Sequence, residues 1–563
     1  MRLPRPTYSA PIAAAILAIA GCTSAPRTPN VGTTVDLTTQ LRNDIKNVVV
    51  IYAENRSFDN LFGKFPNANG INAVLINGRP STAYVKQKDR NGVTVLPVLP
   101  PTWGNVTQPG VTPVVTQAQS AGLPNQPFAI ETAFKTSAGA TLTTSTVTRD
   151  LAHRFFEGQM QINGGKNDMF AAWSDAGGLT MGHYDYSQSA IFKLAQEFVL
   201  ADNFFQGAFG GSFLNHQYLI CACAPEYPDA ANAPAKPSIT ALETKDGTYL
   251  PVLKLAPTSP RSALDGPPEF ALTGNITPAN YFGDGKFYAI NTMQPPYQPS
   301  LNRPSGETDK DLLFANTQSS TTLPPQTQRT IGDLLTAKNI AWKWYGGAWD
   351  AAVADGRQAP DVPRKVIYIG NANGIATREN VAFQAHHQPF NYYAAFDPVA
   401  HAAARASHLK DYRDLIEDAA KGTLPPVAFY KPEGVFNQHE GYTDIADGDA
   451  KIASVVAALR ASSQWKNMLV VITYDEFGGV WDHVAPPKGD LLGPGTRIPA
   501  IIISPFAKMG TVDHTQYDTG SIQRFIARLF DLDRLPGIAA RDSALRQARS
   551  RPMGDLTNAL DLR

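Results

Sequence analysis

Two runs of apolar residues, far apart in the chain, share one pattern: each ends in a cluster of polar side chains. Residues 48–52 and 468–474 are rich in β-branched and aromatic residues, which predicts two strands buried on both faces. Residues 54–59 follow the first run, and Asp475 and Glu476 follow the second. Ligands of open α/β sheets bind just beyond the carboxyl ends of the strands. The two clusters therefore predict two sides of one metal site.

Between and after these runs, strand-like and helical patterns alternate, which favours a parallel or mixed sheet with helices on its faces. Helices are predicted over 189–197, 330–338, 408–420, 450–459 and 521–530, and further strands over 198–200, 340–345, 427–430 and 498–504. Two long segments, 71–149 and 225–325, break this rhythm and are predicted to be insertions that cap or wall the site. A separate binding domain is the less favoured alternative, so residues 41–563 are predicted to form one domain.

The amino-terminal residues have the pattern of an export signal. Arg2 and Arg5 precede an apolar stretch, residues 11–20, that is too short to span a bilayer. Residues 19–22, Ile-Ala-Gly-Cys, resemble the lipobox of bacterial lipoproteins, with cleavage before Cys22 and lipid on its sulfur. An ordinary secretory signal is the alternative. We expect a signal peptide over 1–21, a flexible tether over 22–40, and an exported protein anchored to the bacterial envelope through Cys22.

Composition narrows the classes of partner. Lys and Arg total 49, as do Asp and Glu, so the net charge is zero and no basic stripe for a nucleic acid is visible. No apolar stretch after Cys22 is long enough to cross a membrane. The remaining cysteines, Cys221 and Cys223, are spaced too tightly for an easy disulfide. We expect them to be buried thiols.

A glycine-rich turn precedes a serine, Ser212, whose position suits the binding of a phosphate. Gly210 and Gly211 allow a sharp turn, and the apolar residues from Phe213 onward predict a helix with Ser212 as its N-cap. Backbone N–H groups at such a helix end suit a phosphate, although a plain capping serine has the same pattern. The Gly-x-Ser-x-Gly elbow of serine hydrolases is excluded, because Leu214 stands where glycine is required.

Five of the ten histidines lie in polar clusters beside Gly, Asn or carboxylates, which is typical of a functional site. These are His153, His386, His387, His439 and His483. His183, His401, His408 and His514 are predicted to be structural or exposed.

Together these motifs resemble the bacterial phosphoesterase family, which contains phosphatidylcholine-type phospholipases C and acid phosphatase A. The resemblance covers residues 45–563 and is carried by Glu54-Asn55-Arg56-Ser57-Phe58-Asp59, Asn163-Gly164-Gly165-Lys166, Gly211-Ser212 with Asn215-His216, Lys431-Pro432-Glu433-Gly434 with Asn437, His439, Gly441 and Tyr442, and residues 473–484. It implies an alkaline-phosphatase-like α/β fold: a three-layer sandwich with a mostly parallel central sheet and cap insertions.

The resemblance also implies roles for individual residues. Glu54, Asn55, Ser212, Asp475 and Glu476 would hold a divalent metal ion of unspecified identity, and Ser212 would be the nucleophile. His386 or His387, together with His439, would contact the phosphate or the leaving group. His153 would lie near the metal, and Asn215, His216, Asp482, His483 and Lys166 would support the site.

Phosphoester cleavage requires in-line attack and neutralisation of charge on the phosphoryl oxygens, and this set of residues suits both. The leading expectation is a broad-specificity acid phosphatase that acts on phosphomonoesters. Its optimum would be acidic if His439 or the His386–His387 pair must be charged. A phospholipase C that cleaves phosphatidylcholine-type diesters is the alternative, and a non-catalytic surface lipoprotein is a third hypothesis from a different class.

Overall fold

A computed structural model describes residues 36–134, 139–243, 252–368, 376–377 and 380–562. The predicted signal peptide and Cys22 lie outside the described residues. Eight strands form the central sheet: β1 (Asn47–Ala53), β2 (Val199–Ala201), β3 (Trp342–Gly346), β4 (Leu409–Asp411), β5 (Val427–Lys431), β6 (Met468–Tyr474), β7 (Ala500–Ile503) and β8 (Thr511–Asp513). Their spatial order is β4-β3-β5-β1-β6-β7-β2-β8.

The strand β1 lies inside the sheet, with β5 on one side and β6 on the other. Both neighbours are parallel to it, and Val50 is paired with Phe429 and with Val471. Every residue of β1 and β6 is buried, which explains why both strands are continuous apolar runs rather than alternating ones. Within this sheet only β7 runs against the others, since it pairs antiparallel with both β6 and β2. The predicted mostly parallel sheet is confirmed.

The described residues form fourteen α-helices. They are α1 (Leu37–Asp44), α2 (Phe58–Phe62), α3 (Ile130–Ala133), α4 (Phe155–Ile162), α5 (Phe170–Trp173), α6 (Ala190–Glu197), α7 (Ser212–Cys221), α8 (Ile331–Ala337), α9 (Trp349–Gly356), α10 (Ala402–His408), α11 (Tyr412–Lys421), α12 (Ile445–Ala461), α13 (Thr519–Phe530) and α14 (Pro536–Gln547). Of these, α12 contacts α6 and α11, and α13 contacts α1 and α7. The three-layer α/β architecture is therefore confirmed. Among the described residues, no helix is both long and apolar enough to span a membrane.

One predicted helix, over 408–420, was wrong at its start. α10 ends at His408, the edge strand β4 follows, and α11 begins only at Tyr412. A capping box explains the boundary: Asp411 and Asp414 each accept a hydrogen bond from the other's backbone N–H. The prediction from sequence periodicity therefore extended α11 backwards across the strand β4.

Two other expectations need correction. The tether predicted over 22–40 is helical from Leu37, because α1 begins there and the side chain of Asp36 accepts a hydrogen bond from the N–H of Thr38. Cys221 and Cys223 form a disulfide rather than remaining thiols. The chain turns at Ala222, which has a left-handed conformation with φ of 51°, and this brings the two Cα atoms within 5.1 Å.

Candidate active site

The carboxyl ends of β1 and β6 place two acidic segments side by side. Because the strands are parallel neighbours, Glu54 and Asn55 leave β1 at the same edge at which Asp475 and Glu476 leave β6. The N–H of Asp475 donates to the carbonyl of Ala53, and the N–H of Asn55 donates to Asp475 Oδ1 at 3.1 Å. These bonds join the two clusters that the sequence predicted to meet. All four side chains are buried.

Ser212 completes this group from a third segment. It is the first residue of α7, and Gly211 is the N-cap, so the predicted capping role of Ser212 is wrong. Its side chain instead points at the acidic cluster, with Oγ 3.2 Å from Asn55 Oδ1 and 3.3 Å from Glu476 Oε1. A hydroxyl at a helix N-terminus is thereby placed among buried oxygen atoms, more than 150 residues from either neighbour in sequence.

Gly478 is needed for this arrangement. Its φ is +64°, and a Cβ atom there would lie 2.3 Å from the carbonyl oxygen of Asn55. The absence of a side chain lets its N–H donate to Glu476 Oε2 at 2.6 Å. Asn55 itself has a left-handed φ of 62°, a conformation that asparagine tolerates better than most residues.

Lys431 is a site residue that the sequence prediction missed. It ends β5, is fully buried, and has Nζ 3.0 Å from Glu54 Oε1 and 3.9 Å from Asp475 Oδ2. The other oxygen of Glu54 accepts hydrogen bonds from Asn437 Nδ2 at 2.7 Å and from the hydroxyl of Tyr442 at 3.0 Å. A lysine at the end of an otherwise apolar strand was the available signal, but it could not reveal that β5 lies next to β1.

Three histidines pack together beside these carboxylates. The ring of His216 lies 5.3 Å from that of His387 and 5.7 Å from that of His386, centroid to centroid. His387 Nε2 contacts Glu54 Oε1, and His216 Nδ1 donates to the carbonyl of Ser212 at 2.8 Å. His216, predicted only to support the site, also lies beside a carboxylate, with Nδ1 3.7 Å from Asp475 Oδ2.

His153 and His439 lie on the other side of Ser212, with ring centroids 5.8 Å apart. His153 Nε2 is 3.5 Å from Glu476 Oε1 and 3.4 Å from Asn55 Nδ2. Burial alone would lower the pKa of His153, but the carboxylates of Glu476 and Asp150 raise this pKa to about 9. His153 is therefore a positively charged ring next to the candidate nucleophile.

The pKa values of three other histidines of the site, His386, His387 and His439, are lowered rather than raised. Burial lowers the pKa of His387 to about 4, and it lowers the pKa values of His386 and His439 as well. The condition set for an acidic optimum, a charged His439 or His386–His387 pair, is not met in this environment. These neutral rings have lone pairs available as acceptors or metal ligands.

Some predicted residues lie outside this group. Lys166 is exposed and does not line the cavity above Ser212. Asp482 and His483 instead form a buried network with Asp59 and Arg497: Arg497 contacts Asp482 at 3.0 Å and Asp59 at 3.1 Å, and His483 contacts Asp59 at 2.6 Å.

This network joins the loop after β6 to α2. Asn215 supports the site indirectly. Its Nδ2 donates a hydrogen bond to the carbonyl of Gly210 at 3.1 Å, and this bond stabilises the turn before Ser212.

The charges of the group fit a divalent cation. Three buried carboxylates, Glu54, Asp475 and Glu476, face two positive groups, the buried Lys431 and the protonated His153, which leaves an excess of about one negative charge when all three carboxylates are ionised. Burial, with repulsion from Glu54 and despite Lys431, raises the pKa of Asp475 to about 7.

Two buried atoms in this group, His216 Nε2 and Asp475 Oδ2, lack a hydrogen bond to any described residue, and His387 Nε2 and Glu54 Oε1 contact each other. Acidic and histidine groups are thus positioned to bind a metal ion.

A cavity of about 820 Å³ opens over Ser212. Both predicted insertions contribute to its wall, the first through residues 104–109 and the second through Asn275 and residues 290–292. Charged side chains in the lining include Arg149, Asp150 and Arg154. The cavity is large enough for a phosphate ester with a leaving group of moderate size.

Comparison with known proteins assigns the chain to a family. Residues 45–533 match the Phosphoesterase family. The chain belongs to this family. It is 34% identical over 146 residues to non-specific phospholipase C6 of Arabidopsis thaliana, a match that covers 21% of this chain and 28% of that protein. It is 30% identical over 174 residues to non-hemolytic phospholipase C of Burkholderia pseudomallei, covering 26% and 24%.

The matched part of the chain thus spans only about a quarter of the length of these curated relatives. Similar solved structures include a protein in the alkaline phosphatase superfamily from Vibrio parahaemolyticus, at 10% identity and a TM-score of 0.24, covering 70% of this chain and 72% of that one. The phosphonate monoester hydrolase of Agrobacterium radiobacter has 10% identity and a TM-score of 0.26, covering 61% and 69%. Both curated relatives are named phospholipase C.

Proposed function

We propose that this protein is a metal-dependent phosphomonoesterase, a broad-specificity phosphatase, in which Ser212 is the nucleophile. The observation that carries the proposal is the position of Ser212 Oγ, within 3.3 Å of both Asn55 and Glu476 at a helix N-terminus. In-line attack by this oxygen would form a phosphoserine and break the bond from phosphorus to the leaving group. Water would then release phosphate from the serine.

Glu54, Asn55, Asp475 and Glu476 would hold the divalent cation. When bound, such a cation lowers the pKa of a serine hydroxyl and neutralises phosphoryl charge. The N–H groups at the start of α7 are oriented toward the same place and can donate to phosphoryl oxygens. His153, held protonated by Glu476 and Asp150, can donate a proton or a hydrogen bond at the edge of the site.

The cavity wall supports a monoester with a polar leaving group. Its lining mixes polar side chains with scattered apolar ones such as Leu151, Phe213 and Ile290, and these do not form a continuous apolar run in the sequence. A diacylglycerol leaving group would require a larger apolar surface.

Phospholipase C remains the second candidate, favoured by the relatives' names and by one local feature. Tyr368 and Tyr442, with ring centroids 5.1 Å apart, line the cavity near the half-exposed Asp150. Aromatic rings and a carboxylate can bind a quaternary ammonium group such as choline.

Substitution of the nucleophile tests the mechanism. Ser212→Ala is expected to lower turnover of p-nitrophenyl phosphate by at least about 1,000-fold while stabilisation by divalent cations persists. Ser189→Ala is the matched control, because Ser189 also lies at a helix N-terminus but only caps α6. It should lose about 1 kcal/mol of stability and keep its turnover. Wild-type turnover in Ser212→Ala would refute the assignment.

The two substrate classes are separated by comparing p-nitrophenyl phosphate with p-nitrophenyl phosphorylcholine. The monoester is expected to have the higher kcat/KM. If the diester is preferred, and Tyr368→Ala lowers only the diester rate, the protein is a phospholipase C.

A further inference from the structure

An arginine-rich cleft of about 960 Å³ lies apart from the active site, between α1, α13, α14 and the segment that follows α14. Its lining includes five arginines, Arg42, Arg524, Arg528, Arg534 and Arg546, against three aspartates, Asp531, Asp542 and Asp555. The sequence around the cleft is also rich in arginine: residues 524–551 contain seven Arg and three Asp, with no Lys or Glu, although the whole chain has zero net charge. We call this feature the arginine cleft.

Internal contacts hold the base of the arginine cleft in place. Arg524 contacts Asp518 at 3.0 Å and Asp542 at 2.5 Å, and its side chain is only 8% exposed. Arg528 donates from Nε to the hydroxyl of Thr38 at 3.0 Å and from Nη1 to a carboxylate oxygen of Asp555 at 2.8 Å. The base is therefore preformed and requires no ligand.

Two guanidinium groups at the rim of the arginine cleft, those of Arg534 and Arg546, are exposed instead. Arg534 is 68% exposed and makes one contact of 3.3 Å, with Asp542. Arg546 is exposed, and no described residue pairs with it. A guanidinium group that retains most of its five N–H donors is well suited to bidentate contacts with phosphate oxygens. Both groups are thus available to a partner outside the chain.

The arginine cleft lies where the chain enters the fold. Its residues Thr38 and Arg42 belong to α1, and only residues 23–36 separate α1 from Cys22, the predicted lipid attachment. A chain of 14 residues reaches at most about 50 Å even when fully extended. A lipid on Cys22 would therefore keep the arginine cleft close to a bilayer.

The active site lies at the opposite end of β1. α1 ends at Asp44, shortly before β1 begins, whereas Glu54 directly follows the last residue of β1. A strand of this length spans about 20 Å. The arginine cleft and the candidate active site are therefore at opposite edges of the sheet.

We propose that the arginine cleft docks on the headgroups of anionic phospholipids in the membrane that carries the lipid anchor. The positive rim complements the negative surface of such a bilayer, and a basic surface is the kind of second contact that stabilises attachment by lipid. One consequence rests on the proposed function: the catalytic cavity is held away from the bilayer, so its substrates are water-soluble phosphoesters.

Vesicle binding tests the docking surface without measuring catalysis. The full chain is used with Cys22→Ser, so that no lipid holds it, and is sedimented with vesicles of phosphatidylcholine alone or with added phosphatidylglycerol. Phosphatidylglycerol is expected to strengthen binding, and salt to weaken it. Arg534→Gln with Arg546→Gln should lower the partition coefficient on anionic vesicles by about 25-fold, or fivefold for each arginine.

The matched control is Arg79→Gln with Arg261→Gln, which removes the same charge from exposed positions outside the arginine cleft. This pair should bind as the parent chain does, and p-nitrophenyl phosphate turnover should be unchanged in every variant. The proposal is overturned if anionic lipid does not strengthen binding, if the cleft pair retains the preference, or if the control pair loses as much. If instead the proposed function is wrong, the parent chain does not turn over p-nitrophenyl phosphate, and its binding to vesicles is unaffected.

Discussion

The buried lysine between the two acidic segments provides the sharpest test of the candidate metal site. Lys431→Met removes a charge whose Nζ lies 3.0 Å from Glu54 and 3.9 Å from Asp475. At pH 8, where Asp475 is ionised, and at an effective dielectric constant of about 20, charges at these separations attract by about 5.5 and 4 kcal/mol. The cost of burying the ammonium group offsets part of this, so the expected net loss is about 3–5 kcal/mol of unfolding free energy without metal.

Removal of this lysine should also increase the response to cations. The carboxylates of the site would carry one more uncompensated negative charge, so a divalent cation should stabilise Lys431→Met more than it stabilises the wild type. Urea unfolding measures both effects, first with EDTA and then with Mg²⁺, Ca²⁺, Mn²⁺ or Zn²⁺ in turn. Lys343→Met is the control, because Lys343 pairs with Asp418 at 2.6 Å but is partly exposed. It should lose less than about 1 kcal/mol and show no added response to cations.

Two results would contradict this reasoning. If Lys431→Met unfolds at the wild-type urea concentration in EDTA, the ion pairs do not stabilise the fold. If every cation stabilises the wild type and the variant equally, Glu54 and Asp475 do not bind the cation.

Two further predictions concern the same edge of the sheet. Burial raises the pKa of Asp475 from 3.8 to about 7 in the metal-free protein, so the folded state retains a proton that the unfolded chain has released. Stability in EDTA should therefore be greatest near pH 4 for this group and fall as the pH rises to 7, and a urea-unfolding series that shows no such fall would refute the assignment. Gly478→Ala should lower kcat by at least about 100-fold, because the new Cβ would displace Asn55. Gly78 has a similar positive φ but open space around it, so Gly78→Ala should lower the free energy of unfolding by about 1 kcal/mol and keep its full activity. Equal losses of turnover in the two variants would contradict the steric argument.

Sequence alone determined the elements whose signal is local. The strands β1 and β6 were predictable because a strand buried on both faces must be apolar throughout. A second prediction, that the polar residues after the two strands lie side by side, rested on another reason: parallel strands end at a common edge of the sheet. The family resemblance then identified Ser212 as the third partner, which neither periodicity nor spacing could have done.

Tertiary structure decided what depends on neighbours distant in the chain. Lys431 lies in the site because β5 is adjacent to β1, and no local sequence pattern predicts the order of the strands in a sheet. Lys166, in a motif just as suggestive, remained exposed. Cys221 and Cys223 were joined because Ala222 turns the backbone left-handed, a conformation that a residue other than glycine adopts only when its surroundings favour it. Local sequence specifies which residues can form a strand or bind a ligand, whereas packing specifies which of them meet.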